Sequence, residues 1–120
     1  MSFPAAAMHD LEPFGVDVRR GRDVTIVLPR GELDLVTVET LRSAIDAAIA
    51  EAPGAGLVLD LRGLTFMDST GVHLLVMLDQ RAQRDGFQLT LLAPVPPIDR
   101  AIKLCGLDQM LPFAEPGERG

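Results

Sequence analysis

The 120-residue sequence contains no tryptophan or tyrosine, one cysteine and one lysine. Because five phenylalanines are its only aromatic residues, Leu, Val and Ile side chains must build the core. The single cysteine, Cys105, excludes an internal disulfide and a cysteine-rich metal site, and its apolar neighbours predict a buried, inert thiol. The two histidines and the carboxylates show no metal-ligand spacing, so we expect no metal.

The sequence also lacks an apolar run long enough to span a membrane, and residues 1–10 lack the pattern of a signal peptide. We therefore expect a cytoplasmic protein. The formal net charge is −6, and the longest basic run is Arg19-Arg20. Nucleic acids and anionic membrane surfaces bind basic faces, so neither is an expected partner.

The length and the 48% content of apolar residues are typical of one compact domain. Residues 1–12 and 115–120 show no hydrophobic periodicity and are predicted to be loose tails. The domain is therefore predicted to span residues 13–114.

The first half of the chain predicts a β-hairpin followed by a helix. Apolar residues alternate from Phe14 to Val18, Gly21-Arg22-Asp23 reads as a turn, and Val24 to Leu28 reads as the second strand. Asp34 or Thr37 is a plausible N-cap for a helix that Pro53-Gly54 ends. The apolar face of this helix would consist of Val38, Leu41, Ile45, Ala48 and Ile49.

The second half alternates strands and helices. Leu57 to Leu61 is a nearly continuous apolar run, as expected of a central strand covered on both faces. A helix from Ser69 or Thr70 to Asp85 would bury Val72, Leu75, Leu78 and Ala82. The remaining predicted elements are a strand over Phe87–Leu92, a helix over Ile98–Leu104 that Gly106 ends, and a short edge strand over Leu111–Phe113.

This order, β-β-α-β-α-β-α-β, predicts an α/β fold. Crossover helices join parallel strands, so the sheet should be mixed but mostly parallel, with the opening hairpin adding an antiparallel edge. We expect the helices to lie mainly on one face of the sheet.

The junction Asp68-Ser69-Thr70-Gly71 is the candidate functional site. It links an apolar strand to a helix, and the first N–H groups of a helix lack intrahelical partners. Two readings are open for the hydroxyls. Either one simply caps the helix, or one carries a phosphate, whose negative charge a helix N-terminus favours.

The segment from Asp60-Leu61 through Phe66-Met67 to the D-S-T-G run resembles the signature of STAS-domain anti-sigma factor antagonists. The resemblance covers roughly Phe14 to Phe113. It makes Ser69 the phosphoacceptor and Asp68 a cap or an orienting group, and Gly31-Glu32-Leu33-Asp34 resembles a second signature of the family. The residues that it implies for partner binding are Asp34, Asp68, Ser69, Thr70, Gly71 and Val72. The chain departs from the family at its end, where Ala114 to Gly120 cannot supply a good final helix.

The resemblance implies a protein that is not an enzyme and needs no cofactor of its own. Its unphosphorylated form would bind an anti-sigma factor that is also a serine kinase of the histidine-kinase-like ATPase fold, and this binding would free the sigma factor for transcription. Phosphorylation of Ser69 would end the binding, and a PP2C-type phosphatase would restore it. The alternative is a STAS scaffold or accessory subunit of a stress-sensing or lipid-transport complex.

An enzymatic reading is possible but weak. His73 follows Ser69 by four residues, so a helix would make the two side chains neighbours and a nucleophilic pair. However, no third group is placed to orient the imidazole, and the surroundings are not the G-x-S-x-G elbow of a hydrolase. A surface histidine is the favoured interpretation.

Overall fold

A computed structural model of the chain describes residues 13–115. The predicted tails cover residues 1–12 and 115–120, and of these only Glu115 lies within the described part. The described part contains five strands and four helices. The strands are β1 (Gly15–Arg20), β2 (Val24–Leu33), β3 (Gly56–Asp60), β4 (Leu64–Met67) and β5 (Leu89–Leu92). The helices are α1 (Val38–Glu51), α2 (Ser69–Asp85), α3 (Ile98–Leu104) and α4 (Leu107–Met110).

The sheet is mixed, as the sequence predicts. β1 and β2 form an antiparallel hairpin, and β2, β3 and β5 follow in parallel. β4 also runs parallel to β2 and pairs with its last part, from Gly31 to Leu33. One long strand, β2, therefore carries β3 along its first half and β4 along its second half.

One face of this sheet is buried much more completely than the other. Residues that are neighbours across β2, β3 and β5, such as Val27, Leu59 and Leu91, have no exposed surface. Their neighbours on the opposite face, Ile26 and Val58, are only half-buried. This asymmetry is what helices packed mainly on one face produce, and Val58 corrects the expectation that β3 is covered on both faces.

Local signals in the sequence explain where the helices begin and end. α2 ends at Gly86, whose φ of +81° is the left-handed conformation that glycine adopts without strain. Gly106, with φ +75°, ends the segment that contains α3 in the same way. The predicted turn Gly21–Asp23 is present and is closed by a 2.7 Å bond from Gly21 N to Val24 O.

Sequence patterning missed two features of this part of the sheet, the second half of β2 and the four-residue strand β4. The predicted second strand stops at Leu28, whereas β2 continues to Leu33 through the left-handed Gly31. β4 is the second missed element, separated from β3 by a 3-10 turn over Leu61–Gly63. The carboxylate of Asp60, which is 5% exposed, accepts hydrogen bonds from the Arg62 backbone N–H at 3.0 Å and from its guanidinium at 2.8 and 2.9 Å. The buried Asp60 carboxylate and its bidentate partner Arg62 thus hold the turn between the end of β3 and the start of β4.

Burial corrects two further expectations. Leu75, Leu78 and Ala82 of α2 are buried as predicted, but Val72 is half-buried and Leu74 takes its place in the core. Cys105 is exposed, not buried, because α3 ends there and turns away at Gly106.

The end of the domain differs in detail from the prediction. Leu107 to Met110 form the four-residue helix α4, which sequence patterning did not reveal. The predicted edge strand Leu111–Phe113 is reduced to one parallel bridge between Phe113 and Leu91. Proline at 112 donates no backbone hydrogen bond, and this limits the ladder at that edge.

The core position of Leu59 gives a stability prediction. Leu59→Ala removes a fully buried side chain from the centre of the sheet, and we expect the free energy of unfolding to fall by about 2–5 kcal/mol in denaturant melts. Leu104→Ala is the control, because that leucine is 82% exposed and should change stability by less than about 0.5 kcal/mol. Equal effects of the two substitutions would contradict the assignment of the core.

Candidate functional site

The predicted site residues lie at one edge of the sheet, here called the carboxyl edge, where β2 ends at Leu33 and β4 ends at Met67. These two residues are partners in the parallel ladder. The backbone N–H of Asp68 donates a 3.2 Å hydrogen bond to Leu33 O. The two motifs that the sequence singled out, residues 31–34 and 68–71, are therefore joined directly through the backbone.

Asp68 is the N-cap of α2. Its carboxylate accepts a 2.9 Å hydrogen bond from the Thr70 backbone N–H, and it also accepts the Thr70 hydroxyl. The bond from the Thr70 side chain, with those from backbone N–H groups, lowers the pKa of the Asp68 carboxyl below its ordinary value. Of the two roles open for Asp68, the structure establishes the cap.

Ser69 is the first residue of α2, and its side chain is exposed. Within residues 13–115 its hydroxyl has no hydrogen-bond partner, whereas the Thr70 hydroxyl is held by Asp68. The simple capping interpretation therefore does not apply to Ser69, because Asp68 already supplies the cap. The geometry leaves one hydroxyl available for chemistry at this helix start.

Gly71 is buried and allows the helix to approach the strand ends. A Cβ at this position would lie 2.5 Å from Met67 Cγ and 3.0 Å from Leu33 Cδ2, both closer than ordinary packing. The close approach that this glycine allows is therefore made within the domain, to the ends of β2 and β4. Val72 follows it with a half-buried side chain.

Asp34 organises the turn between β2 and α1. Its Oδ1 atom accepts hydrogen bonds from the backbone N–H groups of Val36 at 3.0 Å and Thr37 at 3.1 Å. The Thr37 hydroxyl donates to Glu32 O at 2.7 Å and accepts from the Asp34 backbone N–H at 2.9 Å. Thr37 is the N-cap residue by position, but it makes no side-chain cap bond to the helix. The turn is therefore held by its own side chains.

Sequence reasoning missed two residues of this turn. Leu35 and Val36 are 73% and 85% exposed, so two adjacent aliphatic side chains face solvent at the carboxyl edge. A signal was present, since they lie between a strand that ends at Leu33 and an apolar helical face that begins at Val38, and they belong to neither.

The structure gives no support to a Ser-His nucleophilic pair. His73 is exposed on α2, and no group among residues 13–115 hydrogen-bonds its imidazole. Within the same residues there is no cluster of three or more His, Cys, Asp or Glu side chains that could hold a metal ion. None of the described helices is both long and apolar enough to cross a lipid bilayer.

Comparison with known proteins identifies the family. The family model for the STAS domain matches residues 15–116. An anti-sigma F factor antagonist from Paenibacillus polymyxa is 30% identical over 98 residues, which cover 82% of this chain and 84% of that protein.

Solved structures agree with the sequence relatives. An anti-sigma factor antagonist from Mycobacterium paratuberculosis superposes with a TM-score of 0.75 at 29% identity and covers 88% of this chain and 89% of that one. The anti-sigma factor antagonist SpoIIAA in its unphosphorylated form gives a TM-score of 0.65 at 27% identity and covers 88% and 91%. SpoIIAA has also been solved in a phosphorylated form, with a TM-score of 0.61, 27% identity and coverage of 88% and 95%.

The Asp68 cap predicts a pH-dependent contribution to stability. Because the folded-state pKa of Asp68 is lowered, its contribution is fully present above the ordinary Asp value of about 4 and is lost as the pH falls through the folded-state pKa. Asp68→Ala should therefore lower the thermal midpoint at pH 7, and the difference from wild type should shrink below pH about 4.

Asp68→Asn is the matched control for this experiment. Its amide oxygen can still accept the Thr70 N–H but carries no charge, so the variant should melt between Asp68→Ala and wild type at pH 7, and its difference from Asp68→Ala should not change with pH. Thermal melts of the three proteins between pH 2 and 8 provide the measurement. A difference between wild type and Asp68→Ala that stays constant across this range would show that the carboxylate charge does not act through the cap.

Proposed function

Since this chain belongs to the STAS domain family of anti-sigma factor antagonists, we propose that its unphosphorylated form binds an anti-sigma factor and thereby frees a sigma factor for transcription. Phosphorylation of Ser69 is the event that ends this binding. The anti-sigma factor is itself the serine kinase, and it carries the ATP and Mg²⁺ that the transfer needs. A phosphatase of the PP2C type returns the protein to its binding form.

One observation carries the assignment of Ser69. Its hydroxyl is exposed at the first position of α2 and has no hydrogen-bond partner within residues 13–115, while Asp68 caps the helix and holds the Thr70 hydroxyl. A kinase can therefore phosphorylate the Ser69 hydroxyl without breaking any contact that stabilises the described fold. Modification of Thr70 would break the contact with Asp68 first.

The phosphate acts at the surface and not on the fold. A phosphoserine carries nearly two negative charges, and a helix N-terminus tolerates such charge because its N–H groups point outward. At about 6 Å from a carboxylate of the partner, each unit charge costs between about 0.7 kcal/mol in bulk water and about 3 kcal/mol at an effective dielectric of about 20. Two such charges weaken binding by one or more orders of magnitude, and the bulk of the phosphate adds steric misfit.

The chain acts as a binding protein with no catalytic turnover of its own. The exposed Ser69 lacks a base that is itself oriented by a third group, which nucleophilic catalysis requires. Partner contacts are assigned to Asp34, Asp68, Ser69, Thr70 and Val72, with Gly71 acting through the packing beneath them.

The second candidate function is the scaffold or accessory subunit. It shares the fold but has no need of a free hydroxyl at the start of α2. The names of the relatives favour the anti-sigma factor antagonist, and phosphorylation by an anti-sigma factor of the same organism distinguishes the two functions.

The phosphorylation site gives the central prediction. Incubated with ATP and the anti-sigma factor kinases of the same organism, the wild-type chain should gain one phosphate on Ser69, mapped by mass spectrometry. Ser69→Ala should gain none but should bind the kinase tightly. Ser69→Asp should bind at least tenfold more weakly, although one carboxylate supplies less charge and fewer acceptors than a phosphate.

Thr70→Ala is the matched control, because it removes the neighbouring hydroxyl and should still be phosphorylated at Ser69. Circular dichroism should be the same for wild type and Ser69→Asp, since the effect is on the interface. Phosphate found on Thr70 alone would place the site wrongly. Equal affinity of the kinase for the phosphorylated and unmodified chains would refute the switch.

The absence of turnover is also testable. Purified protein should show no esterase, phosphatase or ATPase activity above that of a His73→Ala variant. Activity that disappears with His73→Ala, while the melting curve stays unchanged, would revive the Ser-His pair and overturn this assignment.

A further inference from the structure

The turn between β2 and α1 exposes two large aliphatic side chains side by side. Leu35 is 73% exposed and Val36 is 85% exposed, although the other aliphatic residues of the adjoining elements mostly pack into the core. Single exposed apolar residues are common on protein surfaces. Here two such residues follow each other on one turn, and neither side chain packs into the core.

The turn is rigid by construction. The Asp34 carboxylate accepts the N–H groups of Val36 and Thr37, and the Thr37 hydroxyl bridges back to Glu32 O. A further bond joins Val38 N to Asp34 O at 2.9 Å. These bonds fix the backbone that carries Leu35 and Val36, so the loop loses little conformational entropy when a partner covers them.

The turn also lies within the reach of any protein that acts on Ser69. Leu33 and Met67 are ladder partners, and parallel neighbours lie about 4.8 Å apart. Leu35 and Ser69 each lie two residues further on, a step of at most about 7 Å, so their Cα atoms are at most about 19 Å apart. A standard interface buries about 800 Å² on each partner, which corresponds to a disc of about 16 Å radius. An interface of this size centred between Leu35 and Ser69 therefore covers both residues and Val36.

One oxygen of each neighbouring carboxylate is already engaged within the chain. Asp34 Oδ1 takes two backbone N–H groups, and Asp68 Oδ1 takes the backbone and hydroxyl of Thr70. Besides the Ser69 hydroxyl and the remaining carboxylate oxygens, this part of the carboxyl edge offers a partner an exposed aliphatic pair. Burying the pair is a favourable contact.

We propose that Leu35 and Val36 form the apolar anchor of the interface with the kinase, and that they enter a hydrophobic depression on its surface next to its nucleotide site. This inference rests on the proposed function, because the occupant is the kinase that phosphorylates Ser69. The anchor holds the two proteins together, and the charge state of Ser69 decides whether that contact persists. Hot spots of this kind are rigid, desolvated on binding and few in number.

The test uses the anti-sigma factor kinase of the same organism that phosphorylates the wild-type chain. Leu35→Ala and Val36→Ala should each weaken its binding at least tenfold by calorimetric titration, with thermal midpoints unchanged because both side chains are exposed. In phosphorylation assays they should raise KM and leave kcat unchanged, since the anchor contributes equally to the ground state and the transition state.

Leu104→Ala is the matched control. Its leucine is 82% exposed and belongs to α3, a different element from the turn and from α2, so its affinity and KM should equal those of wild type. Wild-type affinity in both Leu35→Ala and Val36→Ala would overturn the anchor while leaving the switch intact. An equal loss in Leu104→Ala would overturn it as well, by showing a nonspecific effect. If no such kinase phosphorylates the wild-type chain, the proposed function fails and the anchor fails with it.

Discussion

The hydrogen bonds between the Asp68 carboxylate and Thr70 are the interaction on which the site depends. Through them Asp68, the residue just before α2, accepts a backbone N–H at the start of the helix. The same carboxylate engages the Thr70 hydroxyl, the second of two neighbouring hydroxyls. Of these two hydroxyls, that of Ser69 is the one with no hydrogen-bond partner in the described part of the chain. A phosphate placed there would remove none of the described contacts, so we expect the modified and unmodified chains to share one fold.

The sheet brings the two halves of the site together through the length of β2. Because β3 and β4 pair with successive parts of this strand, its end at Leu33 lies beside Met67, and the Leu33 carbonyl accepts a hydrogen bond from the Asp68 N–H. The buried Asp60, paired with Arg62, makes the short turn that moves the chain from β3 to β4. The position of Ser69 is therefore set by contacts from three separate stretches of sequence.

The fold class, the hairpin, α1, α2 and α3 could be predicted from the sequence, because hydrophobic period and helix caps are local signals that extend over many residues. β4 and α4 could not, since four residues are too few to show a period, and β4 exists only because β2 offers it an edge. Cys105 was predicted to be buried from its apolar neighbours. Its exposure depends on the direction in which α3 ends, which neighbours in sequence do not encode. At the site, the resemblance already predicted Ser69 as the phosphoacceptor, and the geometry adds that Asp68 holds the hydroxyl of Thr70 but not that of Ser69.

The exposure of Cys105 makes the chain easy to observe. It is the only thiol in the sequence and lies just after α3, on a different element from the turn between β2 and α1 and from α2. A maleimide fluorophore would therefore attach at a single place, outside the core and away from the hydroxyl of Ser69 in sequence. Association with a partner and release from it can then be followed in real time on the natural sequence, without an introduced cysteine.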